Sequence, residues 1–289
     1  MHTVGMVLHP QRDSAEAVNA VLEWAERRSI KVLGIVDEIA RLRCAAIAVT
    51  AGELGRRSDI IVSLGGDGTM LRAMRLADKQ RAPVLGVNLG KLGFLAEIDV
   101  PELPEALTAV DAHEFSLEPR LAVDAVVGDK TVTAFNDVAV VRYPGQGGGQ
   151  IAVRVDDQPF IGYAADALVV ATPTGSTAYS FSAGGPIVTP SVEALLVTPA
   201  SPHSSFNRGL VLSVNDTLSL DILPGSGDLA VEVDGEVAAQ VKAGDRIDLR
   251  GRPGAARVVR LGRTTFYERA RRKLRVTDSA EIAAIYSTS

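Results

Sequence analysis

Apolar runs and helix-spaced apolar stripes alternate along the first hundred residues. Val4 to Leu8 predicts a buried strand. Ser14 to Arg27 carries Ala15, Val18, Val21, Leu22 and Ala25 at helical spacing. Lys31 to Val36 predicts a second strand, Ala46 to Thr50 a third and Ile60 to Leu64 a fourth. Met70 to Ala77 follows as a helix, and Pro83 to Val87 as a further strand. This rhythm predicts an open parallel α/β sheet, in which ligands bind beyond the carboxyl ends of the strands. A short helix entered at Pro101 lies within Asp99 to His113, where the first domain is expected to end.

From about Phe115 short strands take over: 121–127, 134–142, 151–155, 167–171, 210–214, 217–222, 229–233 and 246–249. Turn pairs join several of them, namely Gly128-Asp129, Asp156-Asp157 and Asp234-Gly235. Gly145 to Gln150, with four glycines, reads as a hairpin tip. The expectation is an α/β domain over 1–112, an all-β domain over 113–264, and a tail over 265–289 that returns to the first domain. No internal repeat is visible.

Composition adds few constraints. The chain has 289 residues, 46% hydrophobic and 22% charged, with a net charge of −5. That balance lacks the footprint of a general nucleic-acid binder. The basic cluster Arg269, Arg271, Arg272, Lys273 and Arg275 is the local exception. It reads as a solvated helix face or tail, with phosphate or a partner subunit as the alternative. The single cysteine, Cys44, excludes an intrachain disulfide and predicts buried packing. No run of about 18 apolar residues exists to form a spanning helix, and Met1 to Leu8 does not resemble a signal peptide. A soluble cytoplasmic protein is expected, with no membrane and no nucleic-acid partner.

Two segments carry candidate chemistry. Gly65-Gly66-Asp67-Gly68-Thr69 joins a predicted strand to a predicted helix. Its glycines accept backbone angles that other residues resist and admit a ligand close to the main chain. The helix start offers free N–H groups to a phosphate, and Asp67 stands where a hydroxyl could be deprotonated. Equally, Asp-Gly is a common turn and Thr69 a common N-cap residue. A second loop, Gly90-Lys91-Leu92-Gly93, also follows a strand, but Gly90-Lys91 is not followed by Ser or Thr, so no Walker A pattern is present. The other segment, Thr172 to Pro186, packs hydroxyls and glycines around Tyr179. It suits a nucleoside or phosphate surface, or a plain turn-rich loop. His203 and His9 lack partners at metal-ligand spacing and read as structural, with a donor-phosphate contact conceivable for His9. Trp24 reads as packing.

Taken in order and spacing, several segments resemble the NAD kinase family. They are Gly65 to Thr69, Asn136-Asp137, Asp166, Thr172 to Pro186, Thr198 to Ser204 and Asp234-Gly235-Glu236, with His9-Pro10 after the first strand. The resemblance covers nearly the whole chain. The Gly-Gly-Asp-Gly-Thr element alone also resembles lipid kinases of the diacylglycerol kinase type and, more loosely, phosphofructokinases, whereas Thr172 to Pro186 is more specific.

The resemblance implies phosphorylation of the 2′-hydroxyl of the adenosine ribose of NAD, giving NADP, with ATP as donor and Mg²⁺ as its metal. It implies Asp67 as the base, orienting the hydroxyl and taking its proton late, and Gly68 holding substrate against the backbone. Arg72 faces a phosphate or solvent. Asn136 and Asp137 meet ribose and adenine-side polar atoms, and Asp166 an amide of nicotinamide or adenine. Thr177, Ala178, Tyr179, Ser180, Phe181 and Ser182 line the adenine and ribose, and Glu236 makes a polar contact. Gly65, Gly66, Gly68 and Thr69 carry the donor phosphates; metal ligands are not implied. A homodimer or homotetramer with the β domain at its interface, and an active site between the domains, are further implications. Two positions depart from the family pattern: Asp137 stands where Glu is usual, and Ala164 where a basic residue is common. The rival readings are a lipid kinase, which needs an apolar groove or basic membrane face, and a non-catalytic NAD(P)-binding sensor, which would tolerate loss of Asp67.

Overall fold

The computed structural model describes residues 1–80, 82–90, 93–203 and 206–277. Lys91, Leu92, Ser204 and the end of the expected tail, 278–289, lie outside the described residues. Two compact units are present: one comprises residues 1–76, 80–117 and the chain from 259 onward, the other 77–79 and 118–258. The divisions fall at 117/118 and 258/259, compared with 112/113 and 264/265 on sequence grounds.

The first unit contains β1 (Thr3–Leu8), α1 (Ala15–Glu26), β2 (Lys31–Ile35), α2 (Val36–Leu42), β3 (Ile47–Val49) and α3 (Ala51–Arg57). It continues with β4 (Ile60–Gly65), α4 (from Asp67, ending at Ala77), β5 (Val84–Asn88), β6 (Ile98–Asp99) and α5 (Leu103–Asp111). The strands run parallel in the order β3-β2-β1-β4-β5, with β6 on β5. Apolar runs buried on both faces suit such a sheet. Helix α1 buries Ala17, Val18, Val21, Trp24 and Ala25 as one stripe. Trp24 is packing, as its sequence context suggested, and its indole donates to Thr108 Oγ1 at 3.0 Å.

The helices α2 and α3 were not expected. Helix α3 is closed by a capping box between Thr50 and Glu53. Helix α4 begins at Asp67 rather than Met70, so Thr69 lies inside the first turn and is not the N-cap. Cys44 is half-buried at the margin of the core, not fully buried, because the neighbouring β3 is an exposed edge strand.

The second unit is a sandwich of two antiparallel sheets. Its strands are β7 (Ser116–Val127), β8 (Lys130–Ala134), β9 (Asp137–Arg142), β10 (Gly149–Val155), β11 (Gln158–Ala165) and β12 (Ala167–Ala171). After the short helix α6 (Tyr179–Ser182) come β13 (Ala194–Ala200), β14 (Leu210–Ser213), β15 (Leu218–Ile222), β16 (Leu229–Val233), β17 (Glu236–Val241) and β18 (Arg246–Arg260). One sheet runs β11-β10-β15-β18, with β7 on β18 and β8 on β7; the other runs β14-β13-β12-β9-β16-β17. Val123, Ile151, Leu220 and Leu249 of one meet Val138, Val170, Val197 and Val231 of the other in a single core.

Alternation along β9 and β12 sends Ala139, Val169 and Ala171 to the opposite face, where Tyr179 and Val188 cover them. The expected strand 134–142 is two strands, broken at Phe135-Asn136. Residues 145–150 do not form a hairpin tip, since β9 and β10 belong to different sheets. The three turn pairs do close hairpins, with positive φ at Gly128, Asp156, Asp157, Asp234 and Gly235.

From Val259 the chain rejoins the first core, and α7 (Phe266–Leu274) follows behind a Thr265/Glu268 capping box.

Candidate active site

In the first unit, the chain moves outward from β1 to β2 and β3, then crosses to place β4 on the other side of β1. Loops leaving β1 and β4 diverge at such a switch point and leave a crevice at the strands' carboxyl ends. The Gly65–Gly68 loop leaves β4 there. Gly65 is required sterically, because a Cβ would lie 2.2 Å from Thr69 Oγ1. Gly66 and Gly68 differ: neither has a left-handed φ, and a Cβ on either would meet nothing within 4 Å. The backbone angles expected of these glycines are therefore not what selects them. Their effect is to leave the first turn of α4 bare. Thr69 Oγ1 in this turn and Asn88 Oδ1 are buried without a hydrogen-bond partner among the described residues, a costly state that a polar ligand relieves.

Asp67 is held from three directions. Phe94 N–H donates to Oδ2 and Leu95 N–H to Oδ1, both at 3.1 Å. Lys273 Nζ, from α7, lies 2.8 Å from Oδ2 and 4.8 Å from the Phe94 ring centroid. Gly93 permits this approach, since its Cβ would fall 2.1 Å from Asp67 Oδ1. The carboxylate remains 26% exposed.

Next to it, three arginines gather around the end of β1. Arg72 donates to Leu8 O at 2.7 Å and pairs with Glu38, Arg41 donates to His9 O at 2.6 Å, and Arg12 reaches Leu89 O. Burial and the charges of Arg12, Arg41 and Arg72 push the His9 imidazole below its usual value. Its Nδ1 accepts from the N–H groups of Gln11 and Arg12.

In the second unit, the break at Phe135-Asn136 is shaped by Asp234. That carboxylate accepts the N–H groups of Phe135, Asn136 and Asp137 from the β16–β17 turn. Thr172 ties the same break to the hydroxyl-rich loop: its N–H donates to Asn136 O and its hydroxyl to Phe135 O. Gly175 fits because a Cβ would lie 2.0 Å from Asn136 O.

Asp137 is 4% exposed. Burial first, then the charges of Asp234 and Glu232, raise its carboxyl to about 7. Burial, followed by Glu232, Asp137 and Asp166, raises the Tyr179 phenol. Tyr179 thus shares one electrostatic neighbourhood with three carboxylates. Asp166 pairs with Arg142 at 2.5 Å and is 39% exposed. Thr177 and Ala178 are half-buried, while Phe181, Ser182 and Glu236 are exposed. Ser180 is fully buried against Thr198 Oγ1 at 3.0 Å, so its hydroxyl holds the loop down and does not face a ligand.

Sequence reasoning missed Glu232, the carboxylate role of Asp234, and Arg12, and it read the C-terminal cations first as a solvated face. Arg269 is 2% exposed and Lys273 sits on Asp67, so the basic cluster is not simply a solvated face. Arg12 and Asp234 stood inside quoted or adjacent motifs, and the charge run flagged Lys273 without its contact; Glu232 carried no local signal. His203 is exposed, and its backbone N–H donates to Ala164 O. No group of three or more His, Cys, Asp or Glu side chains suited to a metal exists among the described residues. No helix among them is long and apolar enough to cross a membrane.

A glycine loop with a held aspartate at a parallel-sheet switch point, together with a β-sandwich presenting a hydroxyl-rich loop, defines the class of two-domain nucleotide kinases. Family models agree: that of the ATP-NAD kinase N-terminal domain matches residues 4–115, and that of the C-terminal domain residues 135–261. An NAD kinase from Desulforamulus reducens is 38% identical over 95% of this chain and 98% of its own length. NAD kinase 1 of Streptomyces avermitilis is 35% identical over 97% and 89%. Among solved structures, yeast NADH kinase complexed with NADH superposes with a TM-score of 0.83 at 25% identity, covering 97% of this chain and 89% of that one. An NAD kinase from Archaeoglobus fulgidus in complex with ATP gives 0.74 at 26% identity, covering 96% and 100%. The chain belongs to the NAD kinase family.

Proposed function

We propose that this chain transfers the γ-phosphoryl group of ATP to the 2′-hydroxyl of the adenosine ribose of NAD, giving NADP and ADP. The hydroxyl oxygen bonds to phosphorus as the bond to ADP breaks, and the proton passes to Asp67. The single observation that carries this reading is the bare first turn of α4. Gly66 and Gly68 are glycine where the fold does not need glycine, and close approach of a phosphate-bearing substrate to the N–H groups accounts for both. Arg12, Arg41 and Arg72 supply positive charge on the same side for the donor.

Asn136, Asp166, Tyr179 and the loop from Thr177 to Ser182 recognise the nucleotide, Ser180 by holding the loop. Asp137, shorter than the usual Glu and buried, has its carboxyl raised to about 7, so that below neutral pH it can donate a hydrogen bond as well as accept one. Mg²⁺ belongs to the proposal as a cation bound mainly to the donor phosphates, where it would neutralise their charge. A cytoplasmic homo-oligomer is part of the proposal. Val211 on edge strand β14 and Val237 on edge strand β17 are 61% and 64% exposed and offer apolar edges for association.

The test is NADP formation from NAD, ATP and Mg²⁺. Asp67→Asn is expected to lower kcat by about 10²–10⁴-fold, the range of a lost general base. Gly68→Ala is expected to leave thermal unfolding unchanged while lowering kcat/KM at least about tenfold. Wild-type protein that binds NAD yet makes no NADP refutes the proposal. Full turnover by Asp67→Asn would move the base elsewhere.

A further inference from the structure

We infer that Lys273 is a positioning residue of this reaction: its ammonium fixes one oxygen of Asp67 so that the other faces the acceptor hydroxyl. The inference rests on the reading of Asp67 as the base.

The residues lie 206 positions apart, and the contact is built from several sides. Among the described residues, Oδ2 takes two donors, the Phe94 N–H and the Lys273 ammonium, whereas Oδ1 takes only the Leu95 N–H. A carboxylate oxygen accepts about two hydrogen bonds. Oδ2 is therefore filled and Oδ1 keeps one acceptor direction. Without Lys273 the two oxygens would each hold one backbone donor, and nothing would distinguish them for the incoming hydroxyl.

An exposed lysine–carboxylate pair is often incidental. This one is anchored. The ammonium also rests on the Phe94 ring, whose own backbone N–H binds the same Oδ2. Helix α7, which carries Lys273, starts at the Thr265 capping box and is pinned by buried Arg269. Arg269 Nε donates to Phe94 O at 3.1 Å. That carbonyl and the Leu95 N–H belong to one peptide group, so the cation grips one end of the peptide and Asp67 the other. Coupled bonds of this kind polarise and strengthen one another. Arg260, where the chain rejoins the first unit, donates to Leu95 O at 2.8 Å. The C-terminal segment thus holds both the base and the loop that holds the base. It also brings a lysine to a glycine loop that has none of its own.

The experiment compares NADP formation by wild type, Lys273→Met, Lys273→Arg and Lys273→Ala, with thermal unfolding as the fold control. Lys273→Met is expected to lower kcat by about tenfold or more while KM for NAD changes less than about threefold, the pattern of a group acting on the chemical step. Lys273→Arg is expected to restore most of kcat. Added propylammonium chloride is expected to raise kcat of Lys273→Ala, and tetramethylammonium chloride at equal ionic strength is not, because only the former donates hydrogen bonds. A kcat for Lys273→Met within about twofold of wild type overturns the inference, as does a loss that neither arginine nor propylammonium restores. A wild-type protein that makes no NADP overturns the reading of the reaction, and this inference with it.

Discussion

Asp137 is a residue whose chemistry the fold changes strongly. It is 4% exposed, beside Asp234 and Glu232, and burial with those charges raises its carboxyl from 3.8 to about 7. The folded chain therefore binds this proton more tightly than the unfolded chain does. Stability from this group is fully present below about pH 4 and is lost as pH rises through about 7. A shift of about three units corresponds to roughly 4 kcal/mol in total, about 2.5 kcal/mol of it lost between pH 5 and pH 8. Asp137→Asn keeps the shape and removes the titration. Its stability relative to wild type is expected to improve by about 2.5 kcal/mol on going from pH 5 to pH 8. Urea unfolding of both proteins at the two pH values, followed by far-UV circular dichroism, measures the difference. A relative stability that is the same at pH 5 and pH 8 would refute the reasoning, because it would mean that Asp137 is already ionised in the folded state at pH 5.

Two further substitutions probe the supports of the site. Gly175→Ala puts a methyl group 2.0 Å from Asn136 O; it is expected to cost about 1–3 kcal/mol and to raise KM for NAD, and an unchanged melting temperature would count against that packing. Thr265→Ala removes the N-cap of α7 and is expected to cost the helix about 1 kcal/mol. Hydrogen exchange of amides in 269–277 should accelerate about fivefold if they open by local unfolding of the helix; unchanged exchange would show that the cap does not set the helix's stability.

Much of the fold was legible, for local reasons. Continuous apolar runs gave the parallel strands, and Asp156-Asp157 and Asp234-Gly235 gave hairpins because both residues of each pair adopt positive φ. The helices α2 and α3 were not legible. Each is seven residues long, and α2 buries only Ile39, too little for a helical stripe to register. Strand β13 was hidden by its own motif: Thr198-Pro199-Ala200 reads as a loop, yet Pro199 sits opposite Leu168 in an entirely buried strand. Asp67 and Tyr179 could be picked out because they stand in dense local patterns, and Asn136 through the family resemblance. The contacts of Lys273, Arg269 and Glu232 could not, since each is made with residues far away in the chain.

Three aspartates show how such distant contacts divide the chemistry among identical side chains. Asp234 accepts three consecutive backbone N–H groups, which shapes the break at Asn136. Asp137, a near neighbour of that carboxylate, is buried, and burial with the charges beside it raises its carboxyl to about 7. Asp67 has two backbone donors and one ammonium, is 26% exposed, and keeps one acceptor direction on Oδ1. In the proposed reaction the saturated carboxylate organises backbone, and the held but unsaturated one accepts the proton. The residue type alone left these roles open. The donors counted around each oxygen separate them: Asp67 is partly exposed and keeps one acceptor direction on Oδ1, the arrangement that its proposed role as base for a hydroxyl requires.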